Sequence, residues 1–334
     1  LKSSKVVGLL CPSYFGYHIL IEKGLINKFS NVICYDERPS NNFLVKALLR
    51  LGLRSLLFPL LFTYYVLIYV EFVKGRVTHL FVINPESVPR LFIKLLKKRN
   101  IHITLYMWDS FENKKYAKSL VNIVDDCYSF DLIDCSKDNK VNYLPLFYSK
   151  STLPTSKTSA YDLSFVGTLH SDRYQLIKSI EKQVNDFGLN TFIYLYHPSK
   201  FVFFIKKILK IDYVDIKFSD VHFEPLPYTE VLNVFDNSFA ILDMQHPSQS
   251  GLTMRTIETL GARKKLITSN PNVALLDFFD ERNILVLERE QPTIPRNFFD
   301  DKYLDIPTEV YEKYSLDGWL SHLTGSARYN FYYN

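Results

Sequence analysis

Apolar and polar positions alternate between two periods along this chain, and the alternation itself predicts a fold. Short apolar runs at Lys5–Cys11, Asn31–Tyr35, Thr78–Ile83 and Ile101–Met107 have the length of buried strands. Between them, His18–Phe29 and Val88–Lys98 repeat apolar residues at helical spacing, the second with a basic finish that suits the negative end of a helix dipole. Shorter strands follow at Asp126–Ser129 and Val141–Tyr143. A Ser/Thr/Lys-rich stretch from Ser149 to Ala160 then reads as a linker. From Tyr161 the pattern restarts, with strands at Asp162–Val166, Thr191–Tyr196, Ala240–Leu242, Lys265–Ile267 and Ile284–Val286. Helices are expected at Tyr174–Phe187, Lys200–Leu209, Val231–Asn237, Val273–Phe279 and Thr308–Leu323. Strand and helix in strict alternation predict an α/β protein with open parallel sheets. The domains expected are 1–150, 161–305 and a helical tail, 306–334, that crosses back to the first domain.

One segment breaks the rhythm. Phe43–Lys74 has Leu44, Leu48, Leu51 and Leu56 near helical spacing with Lys46, Arg50 and Arg54 between them, and Ser55–Val70 carries no charge. A bilayer span needs about 20 apolar residues. This run is shorter, contains Pro59 and is rich in tyrosine, so it reads as one or two long helices packed on the sheet. The functional alternative is an interfacial surface that meets lipid with an apolar face and a basic edge.

Composition narrows the class. At 334 residues, with 47% hydrophobic and 22% charged residues, the chain is a folded protein of about two domains. The net charge of +5 is spread along it, without an Arg/Lys run suited to nucleic acid. The surplus fits an anionic substrate or an anionic lipid surface better. Cys11, Cys34, Cys127 and Cys135 form no C-x-x-C pair and no zinc spacing, which favours buried thiols and a cytoplasmic setting. Val6–Cys11 is too short for the core of a signal peptide, and the missing initiator Met leaves a processed or internal start as the expectation.

In open parallel sheets, ligands gather beyond the C-terminal strand ends, and the candidate residues lie there. The segment Gln245–Gly261 follows a strand, passes through a small polar turn containing His246, and opens a helix carrying Arg255 and Glu258. Backbone N–H groups of Ser250, Gly251, Leu252 and Thr253, with Arg255, are placed to stabilise charge on a leaving diphosphate. Glu258 is placed to accept hydrogen bonds from ribose or sugar hydroxyls. The bland alternative is a Ser250 helix cap with an exposed Arg255/Glu258 pair. Gly167 and Thr168 form a turn that lets the backbone approach a phosphate, with His170 beside it and Arg173 in the next helix. His197 lies just past another strand. In the first half, Asp109 follows Tyr106 and Trp108 and is the candidate base for an acceptor hydroxyl, with Glu86, held by Pro85, as its competitor. Tyr14 is a candidate wall for a sugar.

Three motifs carry a resemblance. Leu105-Tyr106-Met107-Trp108-Asp109-Ser110, the stretch Leu163-Ser164-Phe165-Val166-Gly167-Thr168-Leu169-His170-Ser171-Asp172-Arg173-Tyr174, and Ser248-Gln249-Ser250-Gly251-Leu252-Thr253-Met254-Arg255-Thr256-Ile257-Glu258 resemble the motifs of bacterial GT-B glycosyltransferases of capsular, exopolysaccharide or lipopolysaccharide clusters. The resemblance implies two Rossmann-like domains facing across a cleft, with the acceptor on the first and a nucleotide-sugar donor on the second. It implies a metal-independent transfer with no bound cofactor, to a lipid-linked or growing glycan, at the inner face of the cytoplasmic membrane. Glu258 matches the glutamate such enzymes set against the donor. Where that helix often carries a second glutamate, this chain has Gln249-Ser250-Gly251. An inverting reaction would use Asp109 or Glu86. A sugar-nucleotide enzyme of the same fold that is not a transferase, or a non-catalytic glycan-assembly subunit, are the alternatives.

Overall fold

The computed structural model describes residues 3–14, 16–149, 159–169, 171–209, 213–245 and 250–332, with the side chains of 171 and 172 excepted. His170 and His246 lie outside the described residues.

Two units are present. The first gathers Leu1–Leu146, Gln249–Gly251 and Leu316–Asn330; the second gathers Phe147–Ser248, Leu252–Ser315 and Phe331–Asn334. In the first, strands β1 (Ser3–Leu10), β2 (Phe29–Tyr35), β3 (His79–Ile83), β4 (His102–Met107), β5 (Asp126–Ser129) and β6 (Val141–Tyr143) form one sheet in the order β2-β1-β3-β4-β5-β6. In the second, β7 (Tyr161–Thr168), β8 (Thr191–Tyr196), β9 (Val221–His222), β10 (Ser238–Asp243), β11 (Lys265–Thr268) and β12 (Ile284–Val286) are ordered β12-β11-β10-β7-β8-β9. Every pairing is parallel. Helices flank both sheets, as the alternating pattern predicts. In the first unit they are α1 (Tyr17–Lys28), α2 (Phe43–Arg50), α3 (Phe58–Lys74), α4 (Arg90–Lys97), α5 (Lys115–Lys118) and α6 (Leu132–Lys137). The second has α7 (Ser171–Asp186), α8 (Lys200–Ile208), α9 (Tyr228–Asp236), α10 (Met254–Gly261) and α11 (Thr308–Lys313), and α12 (Leu316–Leu323) returns to the first.

Strand order matters because it sets where neighbouring crossovers leave in opposite directions and open a crevice at the strand C-termini. In the first unit that switch point lies between β1 and β3; in the second, between β7 and β10.

The tyrosine-rich segment resolves into parts. Gly52, at φ 77, ends α2 in a conformation that suits glycine. A 3-10 turn, Arg54–Leu57, then leads directly into α3. Arg54–Lys74 is thus a helical run of 21 residues that contains an 18-residue stretch of mean hydropathy 1.9, by length and composition enough to cross a bilayer. It is longer than the apolar run suggests, because Arg54 and Lys74 at its ends are helical too. Leu61, Tyr65, Ile68 and Phe72, spaced 4, 3 and 4 apart, line one side and are buried with Leu80, Val82, Ile93 and Leu105. Burying each such aliphatic or aromatic side chain contributes about 1.5–3 kcal/mol. The remaining sides stay apolar and exposed, with Phe58, Phe62 and Leu67 all more than half accessible.

Other boundaries also shift. The helix expected to carry Arg255 and Glu258 begins at Met254 and is capped by Thr253, whose hydroxyl accepts from the Thr256 N–H, rather than by the alternative cap Ser250. The helix expected over Thr308–Leu323 is two, because the Tyr314 carbonyl accepts from the Tyr148 N–H at 3.0 Å instead of continuing the ladder. The helix expected at Val273–Phe279 is a 3-10 turn, Pro271–Leu275, started by Asn270 and Pro271. In the first unit, Trp319 of α12 meets Tyr106 edge-on at 4.9 Å, Lys28 bonds Asp317 at 2.8 Å, and the absent side chain of Gly24 leaves room for Leu320.

Candidate functional site

The loops that follow β1, β2, β3 and β4 converge at the first unit's switch point. They enclose a cavity of about 230 Å³ lined by Tyr14, Glu37, Arg38, Asn84, Glu86 and Asp109, with Arg50 of α2 and Lys114 completing it. Glu37 is wholly buried. Its Oε2 accepts from the backbone N–H groups of Glu86 and Ser87 at 3.0 and 2.9 Å, and its carbonyl accepts from the Tyr65 and Ser87 hydroxyls. Burial pushes the Glu37 carboxyl up to about 7, against the pull of the Ser87 hydrogen bond and Arg38. Asn84 turns the chain at φ 46, a left-handed conformation that asparagine tolerates and that is sparsely populated elsewhere.

Four buried polar atoms on this cavity have no hydrogen-bond partner: Glu37 Oε1, Arg38 Nε, Asn84 Oδ1 and Glu86 Oε2. Arg38 comes no closer than 3.4 Å to Glu37 Oε1 and 3.6 Å to Glu86 Oε2. Unsatisfied buried polar atoms each cost on the order of 1–3 kcal/mol. Four of them around one cavity, three acceptors and the Arg38 Nε–H donor, mark a place built to exchange hydrogen bonds with a polar ligand.

The two predicted carboxylates share this cavity but differ. Glu86 is buried and engaged by Lys114, with Arg38 and Arg50 also within ion-pair range. Three cations hold its charge in place, a poor state for taking a proton. Asp109 keeps about a third of its side chain accessible. It accepts from Asn113 Nδ2 at 2.8 Å and the Ser110 N–H at 3.0 Å. Burial raises its pKa despite those two bonds. An oriented, accessible carboxylate with raised affinity for a proton has the attributes of a general base. Burial also lowers Lys114 to about 8, with Arg50 acting the same way.

In the second unit, Arg173 reaches the C-terminal ends of β7 and β10, and α10, which carries Arg255 and Glu258, starts against the end of β10. Asp243, the last residue of β10, accepts from the Thr253 and Thr256 hydroxyls, both at 2.7 Å, and so fixes the start of α10. Arg255 bonds Glu258 at 2.8 Å, one turn away, and lies 4.6 Å from the Phe235 ring centre. Glu258 is buried, and Tyr228 lies against it. Arg173 donates to the Thr168 carbonyl at 2.7 Å and to the Met244 carbonyl, bracing the loops after β7 and β10. The space a side chain on Gly167 would occupy is taken by the Phe165 ring, so this glycine serves packing within its own strand. His197 is buried among Phe203, Tyr213 and Phe223, and burial lowers its pKa. Ser250 and Gly251 belong to the first unit, where the Ser250 hydroxyl and the Gly251 N–H both bond Asp131. Leu252 is buried. Among the described residues, no three His, Cys, Asp or Glu side chains converge as a metal site.

Sequence reasoning missed Glu37, Arg38, Lys114 and Asp243. Glu37-Arg38 sits in what reads as a charged surface turn, although its position directly after a strand is the same signal that singles out Asp109. Asp243 ends a strand and carries that signal too. Lys114 and Arg50 carry none, because only the tertiary fold brings them to the cavity. Arg289, which donates to the Gln245 carbonyl at 3.0 Å, was equally invisible.

No protein-family model matches the sequence. No curated protein matches it. Solved structures do. A structure described as trehalose-6-phosphate from E. coli bound with UDP-2-fluoro glucose is 11% identical, with 97% of this chain and 98% of that chain covered at a TM-score of 0.59. A sucrose-phosphate synthase from Thermosynechococcus elongatus is 10% identical, with 86% and 87% covered at 0.56. A lipopolysaccharide outer core galactosyltransferase, WaaB, in its apo form is 12% identical, with 96% and 99% covered at 0.53. At such identities the likeness speaks for architecture alone: the two parallel sheets, each flanked by helices, have the GT-B fold.

Proposed function

We propose that this protein is a glycosyltransferase that moves a sugar from a nucleotide-activated donor to a lipid-linked or growing surface glycan. The observation that carries the reading is the first-unit cavity, where Asp109 stands accessible beside four buried polar atoms that lack partners. The fold supports it, as do the neighbours described with UDP-2-fluoro glucose and as a galactosyltransferase.

In this reading the acceptor sugar occupies the cavity, its hydroxyls donating to Glu37 Oε1, Asn84 Oδ1 and Glu86 Oε2. Asp109 takes the proton of the attacking hydroxyl as the bond to the donor's anomeric carbon forms. The bond from that carbon to the nucleoside diphosphate breaks, and the diphosphate leaves with the electron pair. The N-terminal amides of α10 and Arg255 meet its charge. Glu258 holds Arg255 and accepts from the donor's hydroxyls. A base on the acceptor side goes with inversion at the anomeric carbon. The basic and apolar surface of α2 and α3 supports work as a peripheral protein on the inner face of the cytoplasmic membrane.

The test is calorimetry with UDP, GDP, CMP, CDP and TDP on the intact chain and on Arg255→Ala. Selective binding of one nucleotide, weakened in the variant, is expected. No binding to any of them would remove the nucleotide-sugar donor. Once a donor is known, the anomeric configuration of the product by NMR decides inversion.

A further inference from the structure

The second unit carries an apolar surface outside its core. Helix α8 is fastened to that core by Phe203, which is wholly buried and meets the Tyr213, Phe218 and Phe223 rings at 5.2, 6.0 and 5.7 Å between centres. Ser199 caps the helix, its hydroxyl accepting from the Val202 N–H at 3.2 Å. On the side away from Phe203, the side chains of Phe201, Val202, Phe204, Ile205, Ile208 and Leu209 are all exposed, Phe201 to 73%. Their spacing, i, i+1, i+3, i+4, i+7 and i+8, puts them in one continuous stripe and not at scattered positions. Val214, exposed in the segment that follows, continues the apolar surface. Contiguous apolar surface of this kind on a folded domain marks an interaction site.

The charge around the stripe has one sign. No acidic residue lies on α8, and the described residues between 199 and 218 set Lys200, Lys206, Lys207 and Lys217 against Asp215. By helix geometry, Lys200 and Lys207 stand along one edge of the stripe and Lys206 along the other. The Lys200 and Lys206 ammonium groups lie 5.7 and 5.1 Å from the Phe223 and Tyr213 ring centres, and their long stems let them reach outward from there.

We propose that α8 docks the second unit on an anionic lipid surface, with the stripe inserted at the acyl boundary and the lysines among the headgroup phosphates. An apolar face between basic edges is the chemistry of an interfacial helix. Two observations select the bilayer over other occupants. The stripe is the outer face of a single helix, a convex surface that a flat, deformable layer accepts and that a protein partner would have to match with a groove. A second copy of the chain seated on the same stripe would bring the lysine edges against each other, whereas anionic phosphates turn those edges into an attraction. Because Phe203 already holds α8 folded on the core, docking carries little cost of ordering the helix. The contact is separate from the exposed side of α3, which belongs to the first unit, and it does not rest on the transferase reading.

Phe204→Trp in the full chain places a probe on the stripe. With phosphatidylglycerol vesicles, its fluorescence should shift to shorter wavelength and be quenched by acyl-brominated lipid, beyond any change in the wild type, and phosphatidylcholine vesicles should leave it unchanged. Combining Phe201→Ser with Phe204→Ser, both at exposed positions, should weaken partitioning onto phosphatidylglycerol vesicles at least ten-fold without changing thermal unfolding. Lys200→Gln should weaken it by about five-fold at low salt and by less at high salt. Vesicle-bound Phe204→Trp that is not quenched overturns the proposal. So does a loss of partitioning in Leu67→Ser, on α3, with the α8 variants unchanged. A dimer in analytical ultracentrifugation that the Phe201/Phe204 double variant disperses would make the stripe a contact between copies and overturn it too. Nucleotide calorimetry on the same variants reads the donor site separately, so a failed donor reading and a failed lipid contact are told apart.

Discussion

The two units share one architecture and furnish the same crevice differently. In each, a switch in strand order opens a crevice at the strand C-termini, between β1 and β3 in one and between β7 and β10 in the other. In the first unit the crevice is a cavity, and buried polar atoms of Glu37, Arg38, Asn84 and Glu86 reach it without hydrogen-bond partners. In the second, most of the described polar side chains engage one another: Arg173 ties two loop carbonyls, Asp243 takes two threonine hydroxyls and Arg255 takes Glu258, with Gln245 Oε1 just past β10 left without a hydrogen-bond partner. An unsatisfied crevice stores part of its binding free energy as strain and desolvation already incurred, and a polar ligand recovers it. Where side chains are already paired, as Arg255 with Glu258, a ligand bond has to replace an internal one. Under the proposed transfer, the first would select a hydroxyl-rich acceptor and the second would present preset backbone amides to a diphosphate.

The largest test of this contrast is Asp109→Asn. It keeps the Asn113 and Ser110 contacts in shape but removes the base, so kcat should fall by about 10²- to 10⁴-fold while calorimetric nucleotide affinity is unchanged. Because burial raises the Asp109 pKa, the wild-type rate should fall on the acid side at a pH above the usual aspartate range, and Asp109→Glu should shift that limb. A variant that keeps full activity would strip the first crevice of its chemistry.

Glu258→Ala should weaken nucleotide binding by about ten-fold, the size of one charge-assisted contact of roughly 1.5 kcal/mol, with kcat less affected. Affinity that rises instead would mean that Glu258 only restrains Arg255.

The next effect is on stability. Unfolded, the Glu37 carboxyl releases its proton near 4.5; folded, it keeps it to about 7. The folded state binds more protons between those values, so stability falls as pH rises through that window and levels off above it. Glu37→Gln keeps an acceptor for the Glu86 and Ser87 N–H groups and removes the titration. At pH 8 it should raise stability by roughly 1–3 kcal/mol relative to wild type, and at pH 4 it should be nearly neutral. Urea midpoints at the two pH values decide it. For Gly167→Ala a loss of stability of similar size is expected, because a methyl group there has to displace the Phe165 ring; overpacking of this kind costs about 1–3 kcal/mol, and nucleotide affinity should not change if the glycine serves packing alone.

The alternation of apolar runs was enough to read both sheets apart from the two-residue edge strand β9, because parallel strands buried on two faces are short, apolar and separated by helices. It also pointed to Asp109 and Glu86, since a polar residue directly after a buried strand stands at the rim where ligands collect. It did not separate them. That Glu86 is held by Lys114 while Asp109 is accessible depends on a loop and on α2, neither of which has a local signature. Glu37 was passed over for a related reason. It reads as surface because it is charged and sits in a turn, yet Tyr65 of α3 and Ser87 close over it from 28 and 50 residues away. At α10, Ser250 and Thr253 are equally good caps by type, and the choice is made by Asp243, which the two threonines of that turn can reach.

The return of α12 to the first unit has a consequence for synthesis. β1 to β6 leave the ribosome well before Trp319, which covers Tyr106, and Leu320, which fills the space over Gly24. Domains ordinarily close in the order in which they are made. Here the earlier half waits, with an apolar flank open, until the later half has been translated, so chaperone occupancy on nascent chains should persist past residue 315 and drop once α12 emerges.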